Sequence, residues 1–471
     1  MTLPNYDNPR WRTPFHRLPP VLQDAVTTAY GWQLRWEVHG SFYRWYRRAL
    51  DTSQWRDERQ FAELQAQVLS RFVRRACADV PYWGEVFANA GLDPRSVTQA
   101  GDLTCLPLLT KPEVRRLGSA LVAASYKRRG APTVRLKTSG TTGASLEVTL
   151  SRECWQRDYA FRDQQRSWAG AVRGAPIVSF SSKPLVPPER TAPPFWRHNR
   201  AENQTFFSVQ HISQKSLPFY VDEVVRLQPR LVTGTPAGLA LFARHLAASR
   251  PDDVAPAGVI VHSETLYPFQ REVIERAFHC HAFSWYGNAE VSANIVECEH
   301  GSLHVRPEYS VVELLRPDGS PAQPGEVAEI VGTGFGNAAM PLIRYRTGDT
   351  VVVAEEQQCA CGRRMPVVET IVGRLEDVLL TADGRMVTRF ETAFNDSVHV
   401  VEAQLFQAEP GVLEVRLVTD PGYDEAEQRV IARELRVMLG PAMTIGFRRV
   451  ESIPRDPGGK FRFVLSKVKA P

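Results

Sequence analysis

Short β-type runs alternate with helical stretches from about residue 130 onward, and this alternation constrains the fold more than any other feature. The β-type runs read TVRL, LEVTL, APIVSF, RLVTG and AGVIVHS, and glycine and proline separate them. Helical stretches such as PFYVDEVVRLQ and PAGLALFARHLAAS lie between several of these runs. Alternation of this kind predicts an α/β domain in which helices surround mainly parallel sheets.

Two flanking regions follow different patterns. Residues 20–80 carry apolar positions at three- and four-residue spacing, which predicts helices. Residues 300–356 contain strand-like runs without intervening helices, which predicts an antiparallel or barrel-like part. We therefore predict an N-terminal domain over residues 1–376, of which 1–80 is a helical leader. A small, mobile α+β domain should follow over residues 377–471.

Composition and charge exclude several classes of protein. The chain has 471 residues, of which 43% are hydrophobic and 23% charged, as in a globular protein with more than one core. Its net charge of +5 is small for this length, and its seven cysteines do not predict a disulfide framework. The sequence shows no apolar signal region and no apolar run of the roughly 18 residues that span a bilayer. We therefore expect a cytoplasmic protein with no nucleic-acid or membrane partner.

A loop rich in serine, threonine and glycine lies in the stretch LKTSGTTGASL, residues 136–146. Two glycines permit backbone angles that expose successive amide groups, and the hydroxyls add donors, so the loop suits a polyphosphate. It is not a Walker A motif, because no Gly-Lys-Ser/Thr follows at the required spacing. The alternative is an ordinary turn. The residues predicted to contact phosphate are Thr138, Ser139, Gly140, Thr141, Thr142 and Gly143.

Two later motifs each end on a carboxylate that suits a binding site. SWYGNAE, residues 284–290, suits a site in which Tyr286 flanks a planar group and Glu290 binds Mg²⁺. Its alternative is a strand end with a solvated glutamate. PLIRYRTGD, residues 341–349, ends on Asp349, and an acidic residue at such a turn can accept both hydroxyls of a ribose. Its alternative is a surface hairpin with a charged edge.

Two more motifs lie at the predicted domain boundary and near the C-terminus. GRLEDVLL, residues 373–380, is either a functional boundary segment or an ordinary charged linker. RDPGGKFR, residues 455–462, contains Lys460, one of only eight lysines among 57 basic residues. A lysine after two glycines suits a mobile point charge that meets phosphate oxygens, and the alternative is a solvated loop residue.

The order of these motifs resembles the adenylate-forming superfamily of acyl- and aryl-CoA ligases. In that order come a Ser/Thr/Gly loop, YGxxE, YRTGD, GRxxD and a C-terminal GK, and the resemblance covers nearly the whole chain. Within the superfamily the sequence is most similar to phenylacetate–CoA ligases and their relatives in capsular polysaccharide biosynthesis. The segments that carry this similarity are ADVPYWGEVFANAGLDP, LTCLPLLTKPEVR, HIS at 211–213, VHSETL and CACGRRMPVVETIVGR.

The resemblance implies that the chain binds ATP or AMP together with Mg²⁺. The loop Ser139–Gly143 would hold the β- and γ-phosphates of ATP. The other implied contacts are Tyr286 and Gly287 at the adenine, Glu290 at Mg²⁺, Asp349 at the ribose hydroxyls and Arg374 near the ribose.

The resemblance also implies a catalytic sequence. Lys460 and Glu290 would be catalytic, because a carboxylate attacking phosphorus needs positioning and charge stabilisation and no general base. The small domain would rotate about the hinge Asp377, which removes Lys460 and opens a path for the acceptor. Coenzyme A is the implied acceptor, with an amine on a sugar or metabolite as the alternative. The small-molecule carboxylic acid stays open between aryl-acetate, amino acid, hydroxy acid and fatty acid, and a homodimer is common among these relatives.

Two positions depart from the family pattern. Ala289 stands where a hydroxyl residue is common before Glu290, so one expected polar contact to the nucleotide phosphate is missing. GTPAGL, residues 234–239, places Thr235 where the family has an aromatic residue in the substrate region. Each departure is consistent with a different acid, with a weakened enzyme or with no change.

A second ligand set contains sulfur and imidazole. Cys359 and Cys361 form a C-x-C-G element, and Cys298 precedes His300 and His304. Three thiolates and one imidazole would complete a closed tetrahedral zinc site, which predicts a structural and not a catalytic metal. His304 is preferred because it leads a strand, with His300 as the alternative ligand. Relatives in the resembling branch have similar Cys/His positions, and the competing interpretation is three ordinary reduced thiols.

The sequence also fits two alternative functions. The C-x-C-G element and the arginine excess could belong to a zinc-containing nucleic-acid-binding module, although this explains none of the five ordered motifs. A non-catalytic nucleotide-binding protein would explain Ala289. We expect the ligase interpretation to account for more of the sequence than either alternative.

Overall fold

The computed structural model describes most of the chain, and every structural statement below concerns that part. The described residues are 9–127, 133–137, 146–181, 183–374, 379–382, 386–387, 390–394, 397, 399–455 and 461–468.

The helices of the described residues are concentrated in the leader and around the large sheet. The α-helices are α1 (Pro9–His16), α2 (Pro20–Val38), α3 (Ser41–Ser53), α4 (Glu58–Asp79), α5 (Pro81–Asn89), α6 (Lys111–Leu117), α7 (Ala124–Lys127), α8 (Arg152–Trp168), α9 (Leu217–Leu227), α10 (Pro236–Ser249), α11 (Pro268–Phe278) and α12 (Glu425–Leu439). Short 3₁₀ segments are Ala100–Leu103, Gly118–Leu121, Val209–His211 and Phe390–Phe394.

The strands group into one large sheet, one four-stranded sheet and two hairpins. They are β1 (Thr133–Lys137), β2 (Glu147–Ser151), β3 (Ile177–Ser181), β4 (Trp196–Asn199), β5 (Gln204–Ser208), β6 (Leu231–Gly234), β7 (Gly258–His262), β8 (Ala282–Gly287), β9 (Asn294–Glu297), β10 (Leu303–Val305), β11 (Ser310–Leu315), β12 (Val327–Gly334), β13 (Tyr345–Val353), β14 (Val367–Arg374), β15 (Leu379–Leu380), β16 (Met386–Val387), β17 (Val400–Gln407), β18 (Val412–Thr419), β19 (Thr444–Arg449) and β20 (Val464–Ser466).

The large sheet has twelve strands in the order β11-β12-β13-β14-β10-β9-β8-β7-β6-β3-β5-β4. Five neighbouring strands, β5, β3, β6, β7 and β8, run parallel, and helices connect several of them. From β8 to β11 every pairing is antiparallel. The predicted α/β class is confirmed, and the antiparallel part continues the same sheet because β8 pairs with strands on both sides.

The parallel half of the sheet is covered on both faces. Val178, Val232 and Val259 point to one face and pack with apolar residues of α9, α10 and α11. Their neighbours Ile177 and Leu231 point to the opposite face, toward α8, because successive side chains of a strand alternate. Coverage on both faces explains why these strands read as nearly continuous apolar runs.

The β-type runs TVRL and LEVTL differ from the prediction. They form the antiparallel hairpin β1–β2, in which Lys137 lies opposite Glu147, and they do not join the parallel sheet. The hairpin packs on the large domain through Leu146, Val148 and Leu150. The Ser/Thr/Gly stretch, residues 138–145, lies between these two strands in the sequence and is outside the described residues.

The C-terminal part forms a unit with its own core. The sheet β19-β18-β17-β20 packs against α12, and Leu405, Val415 and Leu435 are fully buried between them. In the stretch RFETAFNDSV, residues 389–398, the described residues form the 3₁₀ turn Phe390–Phe394. This short turn is enough to bury Phe390 and Phe394 in the core of the unit.

The predicted leader is helical, since α2, α3 and α4 occupy most of residues 20–80. The helix α2 packs on β4 and α8 and so joins the large domain. No helix in the part of the chain that the structure describes is long and apolar enough to cross a membrane.

Candidate functional site

Tyr286 and Asp349 meet where β8 and β13 approach each other. The Tyr286 hydroxyl donates a hydrogen bond of 2.8 Å to Asp349 Oδ2. Burial is the main cause that raises the pKa of Tyr286 well above its ordinary value, and the Asp349 carboxylate adds to it. The phenol therefore stays protonated and keeps donating to Asp349. Tyr286 also receives a hydrogen bond of 2.8 Å at its backbone oxygen from Asn294 Nδ2, which fixes the end of β8.

Glu290 lies in the turn that follows β8 and is only 6% exposed. The hydroxyl of the buried Tyr345, at the start of β13, donates 2.8 Å to Glu290 Oε1. One carboxylate oxygen of Glu290 is therefore held by the protein. A hard divalent cation prefers oxygen ligands of this kind.

Arg374 ends β14 directly opposite Asp349 of β13 in the antiparallel register. The structure thus brings together three positions that are separated in sequence: the end of β8, Asp349 and Arg374.

Several predicted site residues lie outside the described residues. These are Thr138, Ser139, Gly140, Thr141, Thr142 and Gly143 of the loop, the hinge Asp377 and the catalytic candidate Lys460. Their roles stay predictions.

Phe461, the residue after Lys460, connects the C-terminal unit to the large domain. Its backbone N–H donates 2.9 Å to Glu264 Oε1, and Glu264 follows Ser263 at the carboxyl end of β7. Phe463 packs against Tyr267 with ring centroids 4.7 Å apart. The C-terminal unit is therefore docked beside the carboxyl ends of the parallel strands.

A cavity of about 490 Å³ opens at those carboxyl ends. Ser181, His262, Ser263 and Gly287, at or next to the ends of β3, β7 and β8, line it on the sheet side. Ligands of open α/β sheets bind outside the carboxyl ends of the strands, so this is the expected position for a substrate. The cavity continues between the sheet, α8 and the leader helix α2.

The wall formed by α8 is polar. Asp158, Arg162, Gln165 and Arg166 line the cavity, and their spacing places them on one face of the helix. Arg162 pairs with Asp158 at 2.8 Å, and the Tyr309 hydroxyl donates 2.9 Å to the other oxygen of Asp158. Buried polar side chains need hydrogen-bond partners, and on α8 these partners are other side chains at the cavity wall.

Sequence reasoning missed the contributions of α2, α8 and Glu264. The stretch RECWQRDYAFRDQQRSW, which forms α8, is mostly polar although it lies between two apolar strands. That contrast could have indicated a helix with polar residues facing a site. Thr235 precedes α10 as a 7% exposed residue and is not among the described residues that line this cavity, and its place in the substrate region stays a prediction.

Cys298, His304, Cys359 and Cys361 form a cluster in which the four ligand atoms lie within 4.8 Å of one another. Cys298 Sγ is 3.6 Å from Cys359 Sγ, and Cys361 Sγ is 3.4 Å from His304 Nε2. Two thiolates on a tetrahedral zinc, each about 2.3 Å from the metal, lie about 3.8 Å apart. The donor set and its spacing therefore fit zinc. His300, the alternative ligand, is exposed and outside the cluster.

The surroundings of the cluster act on its ligands in opposite directions. Burial lowers the pKa of His304 to about 4, so the imidazole is neutral, and its Nδ1 lies 3.4 Å from the Met365 carbonyl oxygen. Burial raises the pKa of Cys298 to about 12 in the absence of a cation. Backbone N–H groups of His300 and Cys361 donate to Cys298 Sγ and Cys359 Sγ, both at 3.4 Å, which favours thiolates.

The cluster is linked to distant parts of the domain through Arg363. Its guanidinium forms an ion pair of 2.7 Å with Glu299 and lies 4.0 Å from the Trp168 ring at the end of α8. It also donates 3.2 Å to Gln54 Oε1, which follows α3. A metal at the cluster would join the segment that contains Cys359 and Cys361 to the β9–β10 region. Arg363, in that same segment, would then link the β9–β10 region to α8 and to Gln54 of the leader.

The proteins to which this chain is similar include CapK and acid–CoA ligases. A family model described as the CapK C-terminal domain matches residues 379–467. Protein CapK of Staphylococcus aureus is 26% identical over 415 residues, which cover 86% of this chain and 89% of that protein. A phenylacetate–coenzyme A ligase of Thermus thermophilus is 24% identical over 449 residues, covering 86% of this chain and 96% of the ligase.

Solved structures show the same fold. The crystal structure of 2-hydroxyisobutyryl-CoA ligase in the postadenylation state matches with a TM-score of 0.72 and 14% identity, covering 88% of this chain and 91% of that one. The same ligase in its thioesterification state matches with a TM-score of 0.56 over the same shares of the two chains. The resemblance to the adenylate-forming superfamily and its phenylacetate–CoA ligase and capsular branch is confirmed by these relatives.

Proposed function

We propose that this protein is an ATP-dependent acid ligase. The chain is similar to CapK and to phenylacetate–coenzyme A ligases, and it has the adenylate-forming ligase fold. It activates a carboxylic acid as an acyl-adenylate and transfers the acyl group to coenzyme A. The relatives support the ligase class.

One observation carries this proposal: three candidate site groups lie near the carboxyl ends of the parallel strands, and the backbone of Phe461 is held beside the same ends. Tyr286 bonds to Asp349, and Glu290 lies in the turn after β8. Phe461, next to Lys460, is bonded to Glu264 beside the cavity. A nucleotide bound against Tyr286 would have its ribose at Asp349, with Lys460 one residue from an anchored backbone N–H.

In the first step a carboxylate oxygen of the acid attacks the α-phosphorus of ATP, and pyrophosphate leaves. The acid is already ionised, so the protein supplies position and positive charge. We assign Lys460 to the charge that develops on the carboxylate and α-phosphate oxygens, and Asp349 to the ribose hydroxyls. Mg²⁺ held at Glu290 would supply charge neutralisation for the phosphates.

In the second step the thiol of coenzyme A attacks the carbonyl carbon, and AMP leaves with the oxygen that came from the acid. We assign Asp377 as the hinge that lets the C-terminal domain withdraw Lys460 before this step. Withdrawal must break the Phe461–Glu264 hydrogen bond, so this contact belongs to the adenylation arrangement. An amine on a sugar or metabolite is the alternative acceptor.

The cysteine–histidine cluster completes the proposal as a structural zinc site. Four protein ligands leave no open coordination position, so the metal would hold residues in place and would not meet substrate. The Arg363 network connects this site to α8, which lines the cavity.

ATP–pyrophosphate exchange across a panel of carboxylic acids tests the proposed activity. We expect exchange that depends on one or more acids and on Mg²⁺, followed by thioester formation when coenzyme A is added. Tight ATP binding with no exchange for any acid would support a non-catalytic nucleotide-binding protein instead. Salt-dependent binding to random duplex DNA would favour the nucleic-acid alternative.

A further inference from the structure

We propose that the protein docks on the surface of an anionic phospholipid bilayer through the solvent-exposed side of α2. The docking surface consists of an apolar stripe on this helix and a neighbouring cleft that three arginines line. The inference concerns a binding surface and does not depend on the proposed activity.

Every exposed residue of α2 is apolar, and together these residues form the apolar stripe. They recur three or four positions apart, which places them on one face of the helix. The exposed face of a helix in a globular protein usually carries charged and polar residues, so the pattern of α2 is the reverse. Contiguous exposed apolar surface of this kind marks an interaction site. The apolar stripe consists of Val21, Leu22, Ala25, Ala29, Trp32 and Trp36.

The two tryptophans of the stripe suit a membrane interface. Trp36 is 85% exposed and Trp32 is 53% exposed, and both lie in the C-terminal half of α2. Tryptophan is enriched at the level of the lipid headgroups, because its ring is amphipathic. A helix with such residues on its apolar face lies in the plane of the interface, with that face among the headgroups. The stripe therefore favours a helix that lies along a bilayer.

A cleft of about 340 Å³ borders the apolar stripe. Arg35 of α2, Arg173 after α8 and Arg200 after β4 line this arginine cleft. The Arg35 guanidinium lies 5.2 Å from the centre of the Trp32 ring, so the cleft and the stripe are continuous. Glu202 is the one carboxylate among the described residues that line the cleft, which leaves an excess of positive charge.

The arginine cleft has fixed walls and lacks an anion. Arg35 Nη1 donates 2.8 Å to the Ala201 backbone oxygen, and Asn203 Nδ2 donates 3.0 Å to the Gly174 oxygen, which joins the two loops. None of the three arginines forms an ion pair with a described residue. Guanidinium groups bind phosphate oxygens through pairs of parallel hydrogen bonds. The phosphate of a lipid headgroup is the anion that a bilayer presents beside an apolar surface.

The charge of this region favours an anionic bilayer over a second copy of the chain. Residues 9–53, which include α1, α2 and α3, contain seven arginines, no lysine and three carboxylates. A symmetric dimer on this face would bring the same patch of both copies together, and the arginines would repel each other. Anionic lipids instead strengthen binding about fivefold for each arginine near their surface.

The sequence-based expectation of no membrane partner does not cover this surface. It rests on continuous apolar runs and on the net charge of the whole chain, whereas the apolar stripe is spaced along a helix. The arginines of the cleft come from three separate segments, and only the fold brings them together.

Binding to vesicles tests the inference with the whole chain and without substrates. Vesicles of phosphatidylcholine are compared with vesicles in which about one third of the lipid is phosphatidylserine, and the bound protein is measured by sedimentation. We expect binding to the anionic vesicles to be about 100-fold tighter, because three arginines each contribute about fivefold. Equal binding to both kinds of vesicle, or binding to neither, overturns the inference.

Charge variants test the arginine cleft. Arg173→Gln combined with Arg200→Gln should weaken binding to the anionic vesicles about 25-fold. Arg433→Gln combined with Arg436→Gln removes two exposed arginines of α12 and should leave binding unchanged. Unchanged binding in the first double variant overturns the role of the cleft.

A matched pair of valines tests the apolar stripe. Val21 of α2 and Val437 of α12 are each 76% exposed. Val21→Asp should weaken binding at least about tenfold, because it removes apolar surface and adds a charge of the same sign as the lipid. Val437→Asp should bind as the wild type does. Trp36→Ala should also weaken binding at least about tenfold, and thermal unfolding checks that each variant is folded.

Two further measurements identify other occupants of this surface. A dimer in sedimentation equilibrium that dissociates in Trp36→Ala, without any binding to vesicles, assigns the surface to a second copy and overturns the inference. Calorimetric binding of inorganic phosphate without any binding to vesicles assigns the cleft to a soluble anion and also overturns it. Vesicle binding that both the cleft and the stripe variants weaken supports the inference.

Discussion

Replacement of Cys359 by serine is expected to remove zinc from the protein and lower its thermal unfolding midpoint. Cys359 Sγ lies 3.6 Å from Cys298 Sγ in a cluster of four ligand atoms, so one lost thiolate opens the whole site. Loss of a structural metal is among the few changes that cost more than about 4–5 kcal/mol. We expect the midpoint to fall by about 5–10 °C, measured together with the metal content of the purified protein.

Matched variants make the zinc prediction specific. The wild-type protein should carry about one zinc per chain, and a content below about 0.2 would contradict the site. Cys105→Ser changes an exposed cysteine outside the cluster and should retain zinc and stability. His304→Ala should lose zinc, whereas His300→Ala should retain it, because only His304 reaches the cluster.

Replacement of Lys460 by alanine is expected to reduce pyrophosphate exchange by about 10²–10³-fold, the usual effect of losing one preorganised donor to a developing charge. The thioester step should proceed normally when the acyl-adenylate is supplied ready-made, because Lys460 is assigned only to the first step. Rapid-quench measurements of the two half-reactions separate these effects. Thermal unfolding of the variant checks that the fold is unchanged.

Lys467→Ala is the matched control for Lys460. It removes the charge of another lysine of the same unit, whose Nζ lies 5.5 Å from the Phe406 ring and outside the proposed site. Exchange should remain at the wild-type rate in this variant. Equal exchange in Lys460→Ala and wild type would remove Lys460 from the mechanism.

The fold class and the positions of the candidate site could be predicted from the sequence because their signals are local. Glu290 and Asp349 are the last residues of the short motifs YGxxE and YRTGD, and the order of these motifs along the chain is distinctive. Cys359 and Cys361 are only two positions apart. The structure then places Asp349 beside Tyr286 and the three cysteines beside His304.

Strand partners and the cavity could not be predicted, because they depend on contacts between distant segments. The pattern of TVRL and LEVTL fits a strand, but it does not specify whether the strand joins a hairpin or the large sheet. The cavity needs α2 and α8 on the same face of the sheet, and only the packed domain brings Leu34 and Gln165 together. Glu264 was missed because its partner, the backbone of Phe461, has no side-chain signal.

The central claim is that a carboxylate of the substrate attacks the α-phosphorus of ATP, and transfer of ¹⁸O tests it most directly. An acid that supports exchange is labelled in both carboxylate oxygens and incubated with ATP, Mg²⁺, coenzyme A and the protein, and the AMP is analysed by mass spectrometry. The mechanism predicts AMP that carries one ¹⁸O atom from the acid and pyrophosphate that carries none. Thioester formation with unlabelled AMP, or with the label in inorganic phosphate, would contradict an acyl-adenylate and with it the proposed function.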